Sequence, residues 1–180
     1  MLCHHDDETA WVYTRLTTKE AEQALAEQRM ARGFELSRPR RVETHLPNIF
    51  EGRGWAAGAG DGHIVAVQVD RGFLDWLLDT GVSTVRDAER DPNEAAWRAV
   101  LAEAHVKVQW RPCRDPLGSP VGPQVPTFGL EREALRRFQR VEPRAIVDLK
   151  PFLEAQFESL RSGGLRGFEL PVETVYRAEV

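Results

Sequence analysis

His63-Ile64-Val65-Ala66-Val67-Gln68-Val69-Asp70 is the stretch that decides the fold. Its apolar residues fall on both sides of the alternation, Ile64 and Ala66 with Gln68 on one face, Val65, Val67 and Val69 on the other. This is the clearest strand in the chain, and it belongs to a central sheet flanked by helices. Upstream, Ala10-Trp11-Val12-Tyr13-Thr14-Arg15-Leu16 alternates and is rich in aromatic and β-branched side chains, which predicts a second strand. Thr17 and Glu20 then supply a capping box for a helix over about 18–29, with Gly33 as its stop.

Downstream, Gly72 to Thr80 reads as a short helix whose Phe73, Trp76 and Leu77 lie at helical spacing and face the core. Asp91-Pro92-Asn93-Glu94 opens another helix to about His105, with Pro92 in its first turn. Val106 to Trp110 follows as a strand. Between Pro112 and Gly129 stand Pro112, Pro116, Pro120, Pro123 and Pro126, a pattern that excludes a helix and makes a poor strand. A stiff surface connector is the favoured reading there, a lid the other. Glu131–Arg140 is a short basic helix, Ala145–Asp148 a candidate strand, and Pro151–Arg161 an amphipathic helix stopped by Ser162-Gly163-Gly164. Two extended pieces broken at Pro171 close the chain.

The elements alternate without regular βαβ spacing, which predicts an α+β fold: one domain over 10–180 with a central mixed or antiparallel sheet. Its expected strands are Trp11–Leu16, Ile64–Val69, Val106–Trp110 and C-terminal pieces. Helices near 18–29, 94–104 and 151–161 are expected to cover it. Residues 1–9, acidic and short, read as a flexible, exposed tail, despite the metal-loving atoms of Cys3, His4 and His5.

With 180 residues, 42% of them hydrophobic and 29% charged, the chain has an ordinary globular composition. The net charge of −4 argues against a general polyanion binder. No apolar run is long enough to span a membrane, and the first residues lack the basic flank and apolar core of a secretory signal, so a cytoplasmic protein is expected. Neither G-x-G-x-x-G between strand and helix nor G-x-x-x-x-G-K-[ST] occurs, nor H-E-x-x-H, nor G-x-S-x-G. Cys113 has no neighbouring His to activate it, so no nucleophilic role is assigned to it.

Charge is unevenly placed. From Arg29 to Arg41 five arginines (29, 32, 38, 40 and 41) stand against one acid, Glu35, a local formal charge of +4. An anionic ligand held by guanidinium forks relieves that repulsion; so does pairing with Glu20, Glu27 or Glu43. The stretch from Phe34 to Gly62 shows no period, and long irregular loops are often functional.

The order of elements, with Tyr13-Thr14-Arg15-Leu16 ending an N-terminal strand before a capped helix and Phe168-Glu169-Leu170-Pro171 before a last strand, resembles the ADP-ribosyltransferase superfamily. The resemblance covers most of the chain as a layout and two short segments at residue level. It implies binding of NAD as substrate and transfer of ADP-ribose, or hydrolysis, at the nicotinamide–ribose bond. Glu169 would then stabilise the oxocarbenium-like centre and Arg15 would hold a phosphate or ribose. Tyr13 and Thr14 would anchor the nucleotide. Arg38, Arg40 and Arg41 would close on the diphosphate, and Phe50 or Trp55 would stack on nicotinamide. The acceptor is left open. Two alternatives stand beside it: a non-catalytic interaction or regulatory module on a similar scaffold, and a small-molecule enzyme using His45 and the arginine-rich loop.

Overall fold

The chain is described here as a computed structural model, covering residues 1–30, 37–50 and 62–178. In chain order it contains β1 (Leu2–Cys3), β2 (Thr9–Leu16), α1 (Thr18–Glu27), β3 (Arg40–Glu43), a short 3-10 helix (Leu46–Phe50), β4 (His63–Asp70), α2 (Arg71–Thr80), β5 (Val82–Ser83) and α3 (Glu94–Glu103). There follow β6 (Val106–Arg114), β7 (Pro120–Leu130), α4 (Arg132–Arg140), β8 (Ala145–Asp148), α5 (Lys150–Gly163) and β9 (Thr174–Val175). Among the described residues, seven strands form one sheet in the order β5-β6-β7-β3-β2-β4-β8. All pairs in it are antiparallel except β5 with β6. This is an α+β fold with a mixed central sheet.

The alternation of β4 works as its sequence requires. Val65, Val67 and Val69 join the larger core with Leu74 and Leu77 of α2, Leu135 and Phe138 of α4, and Ala21 and Ala24 of α1. Ile64 and Ala66 join a second, smaller core with Tyr13, Leu46, Ile49, Phe50, Leu149 and Leu153. Each fully buried aliphatic side chain contributes about 1.5–3 kcal/mol, and both faces of β4 draw on that. Helix α1 starts on the expected capping box: Thr17 accepts from the Glu20 amide while Glu20 accepts from Thr17.

Several expectations are corrected. Residues 120–130, read as a connector, form the eleven-residue strand β7. Strand β3 pairs with Thr127–Leu130 of it, so among the described residues the strand has β6 alone as partner from Pro120 to Pro126. Prolines 120, 123 and 126 therefore sit where one side of the strand needs no amide donor. Charged β3 and the 3-10 helix give structure to part of the stretch read as irregular. Asn93 caps α3, so Pro92 precedes the helix and does not lie in its first turn, and α3 buries no residue; it leans on β5 through the Trp97 indole, which donates to the Ser83 carbonyl at 3.2 Å. Of the three helices expected to cover the sheet, α1 and α5 do so, and α2 and α4 complete the cover in place of α3. Helix α1 ends at Gln28 in the left-handed region; Gly33 lies outside the described residues. The last strand does not join the central sheet. β9 pairs with β1, and Cys3, expected in an exposed tail, is fully buried.

Candidate functional site

Strand register sets which side chains share a face. Tyr13 on β2 lies opposite Glu43 on β3, and Glu43 lies opposite Thr127 on β7. With side chains alternating along each strand, Tyr13, Arg15, Arg41, Glu43 and Thr127 stand on the face of the smaller core. Thr14, one residue out of phase, is buried on the opposite face and donates its hydroxyl to the Arg41 carbonyl at 2.7 Å. Of the two nucleotide anchors expected on this strand, Tyr13 is on the polar face and Thr14 is not.

The polar group at the end of β3 is dense and buried. Glu43, with no exposed surface, accepts from the Thr127 hydroxyl at 2.8 Å and from Arg41 Nε. Burial pushes its carboxyl above the usual range against the pull of Arg41 and Thr127. His45 Nδ1 meets Glu173 Oε2 at 2.6 Å, and its Nε2 lies 3.1 Å from the Arg114 carbonyl. Burial disfavours the imidazolium, yet Glu173 and the Arg114 carbonyl outweigh it and hold the pKa above its ordinary value. Glu173 also accepts from the Leu46 amide. Asn48, in the 3-10 helix, donates to the Pro112 carbonyl and receives Arg41 Nη2 at its own carbonyl. Its Oδ1 and the Thr44 hydroxyl are buried with no hydrogen-bond partner among the described residues.

The remaining expected residues are placed as follows. Arg15 is exposed and donates to the Ile49 carbonyl at 3.1 Å. Arg40 spans the Arg15 carbonyl at 2.7 Å and Glu20 at 2.8 Å, so both Arg40 and Arg41 are engaged by carboxylates of the chain. Arg38 is exposed. Phe50 is buried in the smaller core beside Tyr13 and Ile64, so stacking on a ligand is not its position here. Trp55 lies outside the described residues. Glu169 is exposed; its amide donates to Gln156 of α5 at 2.7 Å, and the neighbouring Phe168 packs on the smaller core.

Sequence reasoning missed Glu173, Thr127 and Asn48, and named Glu43 only as one of three carboxylates that could pair with the arginines. Glu43 had one readable signal: it follows Arg41 by two, the spacing that puts both on one face of a strand. Glu173 had none, because its partner is 128 residues away. Chemically the group offers carboxylates and an imidazole for proton transfer and arginines for anions. Among the described residues no set of three or more His, Cys, Asp or Glu side chains is placed to hold a metal ion.

A family model, described as a domain of unknown function (DUF4291), matches residues 1–176. The chain belongs to the DUF4291 family. The match runs from β1 to β9, so every residue of the buried polar group lies within the DUF4291 domain. No curated protein matches the chain. Among the described residues of this DUF4291 chain, no helix is long and apolar enough to cross a membrane.

Proposed function

We propose that this chain binds NAD on the face of the sheet that carries the smaller core and cleaves its nicotinamide–ribose bond, transferring ADP-ribose to an acceptor or to water. One observation supports the reading most. Arg15 bonds to Ile49, Phe168 leads directly into Glu169, and Ile49, Phe168 and Tyr13 all belong to one cluster on one side of the sheet. An exposed guanidinium and an exposed carboxylate thus border the same apolar group, the minimum that phosphate binding and ribosyl-cation stabilisation demand. In the reaction the bond from ribose C1′ to the nicotinamide nitrogen breaks and nicotinamide leaves neutral. The acceptor nucleophile forms the new bond at C1′ and gives up a proton. Glu169 offsets the positive charge at C1′, Arg15 holds a phosphate, and Tyr13 forms part of the floor. A cytoplasmic location goes with this reading, since NAD is plentiful there.

The pairing of Arg40 with Glu20 and of Arg41 with Glu43 favours a second reading, a binding module without catalysis, because it removes two guanidinium groups from the diphosphate. Nicotinamide release from NAD separates the two. Catalysis requires release by the wild type and its loss in Glu169→Gln with NAD binding retained. Binding without release in the wild type leaves the module reading, and absence of both overturns the NAD proposal.

A further inference from the structure

Three of the chain's five histidines hold three consecutive residues near its C-terminal end. His4 Nδ1 donates to the Val172 carbonyl at 2.7 Å, His45 Nδ1 to the Glu173 carboxylate at 2.6 Å, and the Thr174 hydroxyl lies 3.0 Å from His5 Nε2. Apart from these contacts the segment is lightly held. Val172 is 74% exposed and Val175 64% exposed, and β9 is two residues long. Tyr176 supplies the other anchor: its amide donates to the Met1 carbonyl at 2.7 Å and its hydroxyl to Asp75 at 2.6 Å.

We propose that residues 172–176 form a pH-responsive strap, latched by the contact between His45 and Glu173 and loosened as the medium turns alkaline. His45 faces two acceptors, the Glu173 carboxylate and the Arg114 carbonyl, and only the imidazolium carries a proton for each. The neutral ring keeps one N–H. It can hold Glu173 and turn its bare Nε2 to the Arg114 amide at 3.3 Å, but the ionic part of the latch is gone. Glu173, its side chain 9% exposed, is then a carboxylate whose donors among the described residues are all neutral, a costly state that release to water relieves. His4 meets a single carbonyl, and His5 meets the Asp6 carbonyl at Nδ1 and the Thr174 hydroxyl, which can donate, at Nε2, so one N–H serves each of these rings.

The surroundings of the latch set the direction of the switch. From β3, Glu43 adds negative charge that favours the imidazolium of His45. From β1, β2 and β6, Cys3, Tyr13 and Cys113 are all held protonated by burial, with the Glu173 charge acting the same way, so none competes for the proton of His45 in the neutral range. Arg114 flanks the ring through its backbone. On the far side Arg71 lies over the Tyr176 ring, Asp75 accepts from Tyr176, and the Met1 amino group reaches the Tyr176 carbonyl; these hold Tyr176 and not Glu173. Protonation thus acts at one point, His45, and on one end of the strap.

Amide hydrogen exchange followed by NMR on the full chain tests this. Protection factors, which already correct for the chemical pH dependence of exchange, are read at the Leu46 amide, which donates to Glu173, with Val67 in β4 as the control. Between about pH 6 and about pH 8.5, protection at Leu46 is expected to fall about threefold or more while Val67 holds. In His45→Gln, and separately in Glu173→Gln, protection at Leu46 is expected to be low at both pH values. Wild-type protection that does not change with pH, a fall shared equally by Val67, or a pH dependence that persists in either variant overturns the proposal.

Discussion

The Nδ1 of His45 and a carboxylate oxygen of Glu173 lie 2.6 Å apart, joining the end of β3 to a segment 128 residues further along the chain. Because the fold holds the His45 pKa above its ordinary value, the contact stabilises the folded state most fully below the unfolded value of about 6.5. That stability is lost as pH rises through the higher folded value. The urea midpoint of the wild type is therefore expected to fall from about pH 6 to about pH 8.5, and that of His45→Gln to stay flat across the same window.

Glu20 works in the opposite sense. Burial raises its pKa, but the Thr17 amide and Arg40 overcome that and leave it depressed in the fold. A depressed carboxylate stabilises above its unfolded pKa and loses that contribution as pH falls through the folded one. Arg40→Gln is expected to move the acid-unfolding midpoint to higher pH, which acid titration followed by circular dichroism measures.

Thr127 gives the buried Glu43 carboxylate a hydrogen bond at 2.8 Å. Thr127→Val keeps the shape and removes the donor, so a fully buried carboxylate loses a partner. The expected cost is about 1–3 kcal/mol in denaturant unfolding.

Gly81 closes α2 against β6, where an added Cβ meets Val108 Cγ2 at 2.2 Å and the Leu77 carbonyl at 2.8 Å. Backbone cannot yield as a side-chain tip can. Gly81→Ala is expected to cost about 1–3 kcal/mol in the same unfolding measurement.

What was legible in the sequence follows from how locally each feature is determined. The strand 63–70 was readable to its ends because alternation and burial on both faces are carried by its own eight residues. Thr17 and Glu20 were readable because a capping box closes within three residues. β7 was not: its prolines are tolerated only because β3 is too short to need their missing amides, a property of the partner strand. β3 was hidden because half-buried Arg41 and buried Glu43 place a polar pair on a face where sequence patterning expects apolar residues. The site divides in the same way. Arg15 and Glu169 enter through the family resemblance alone; pairing of the arginines with Glu20 or Glu43 was one of two outcomes the sequence left open, and strand order selects it, whereas the meeting of His45 with Glu173 depends on long-range closure.

The proposed function is tested most directly by calorimetric titration of NAD into the full chain and into Arg15→Gln. Saturable binding by the wild type, weakened about tenfold by loss of the Arg15 charged contact, is the expected result. No saturable heat in the wild type, or identical affinity in Arg15→Gln, would contradict it.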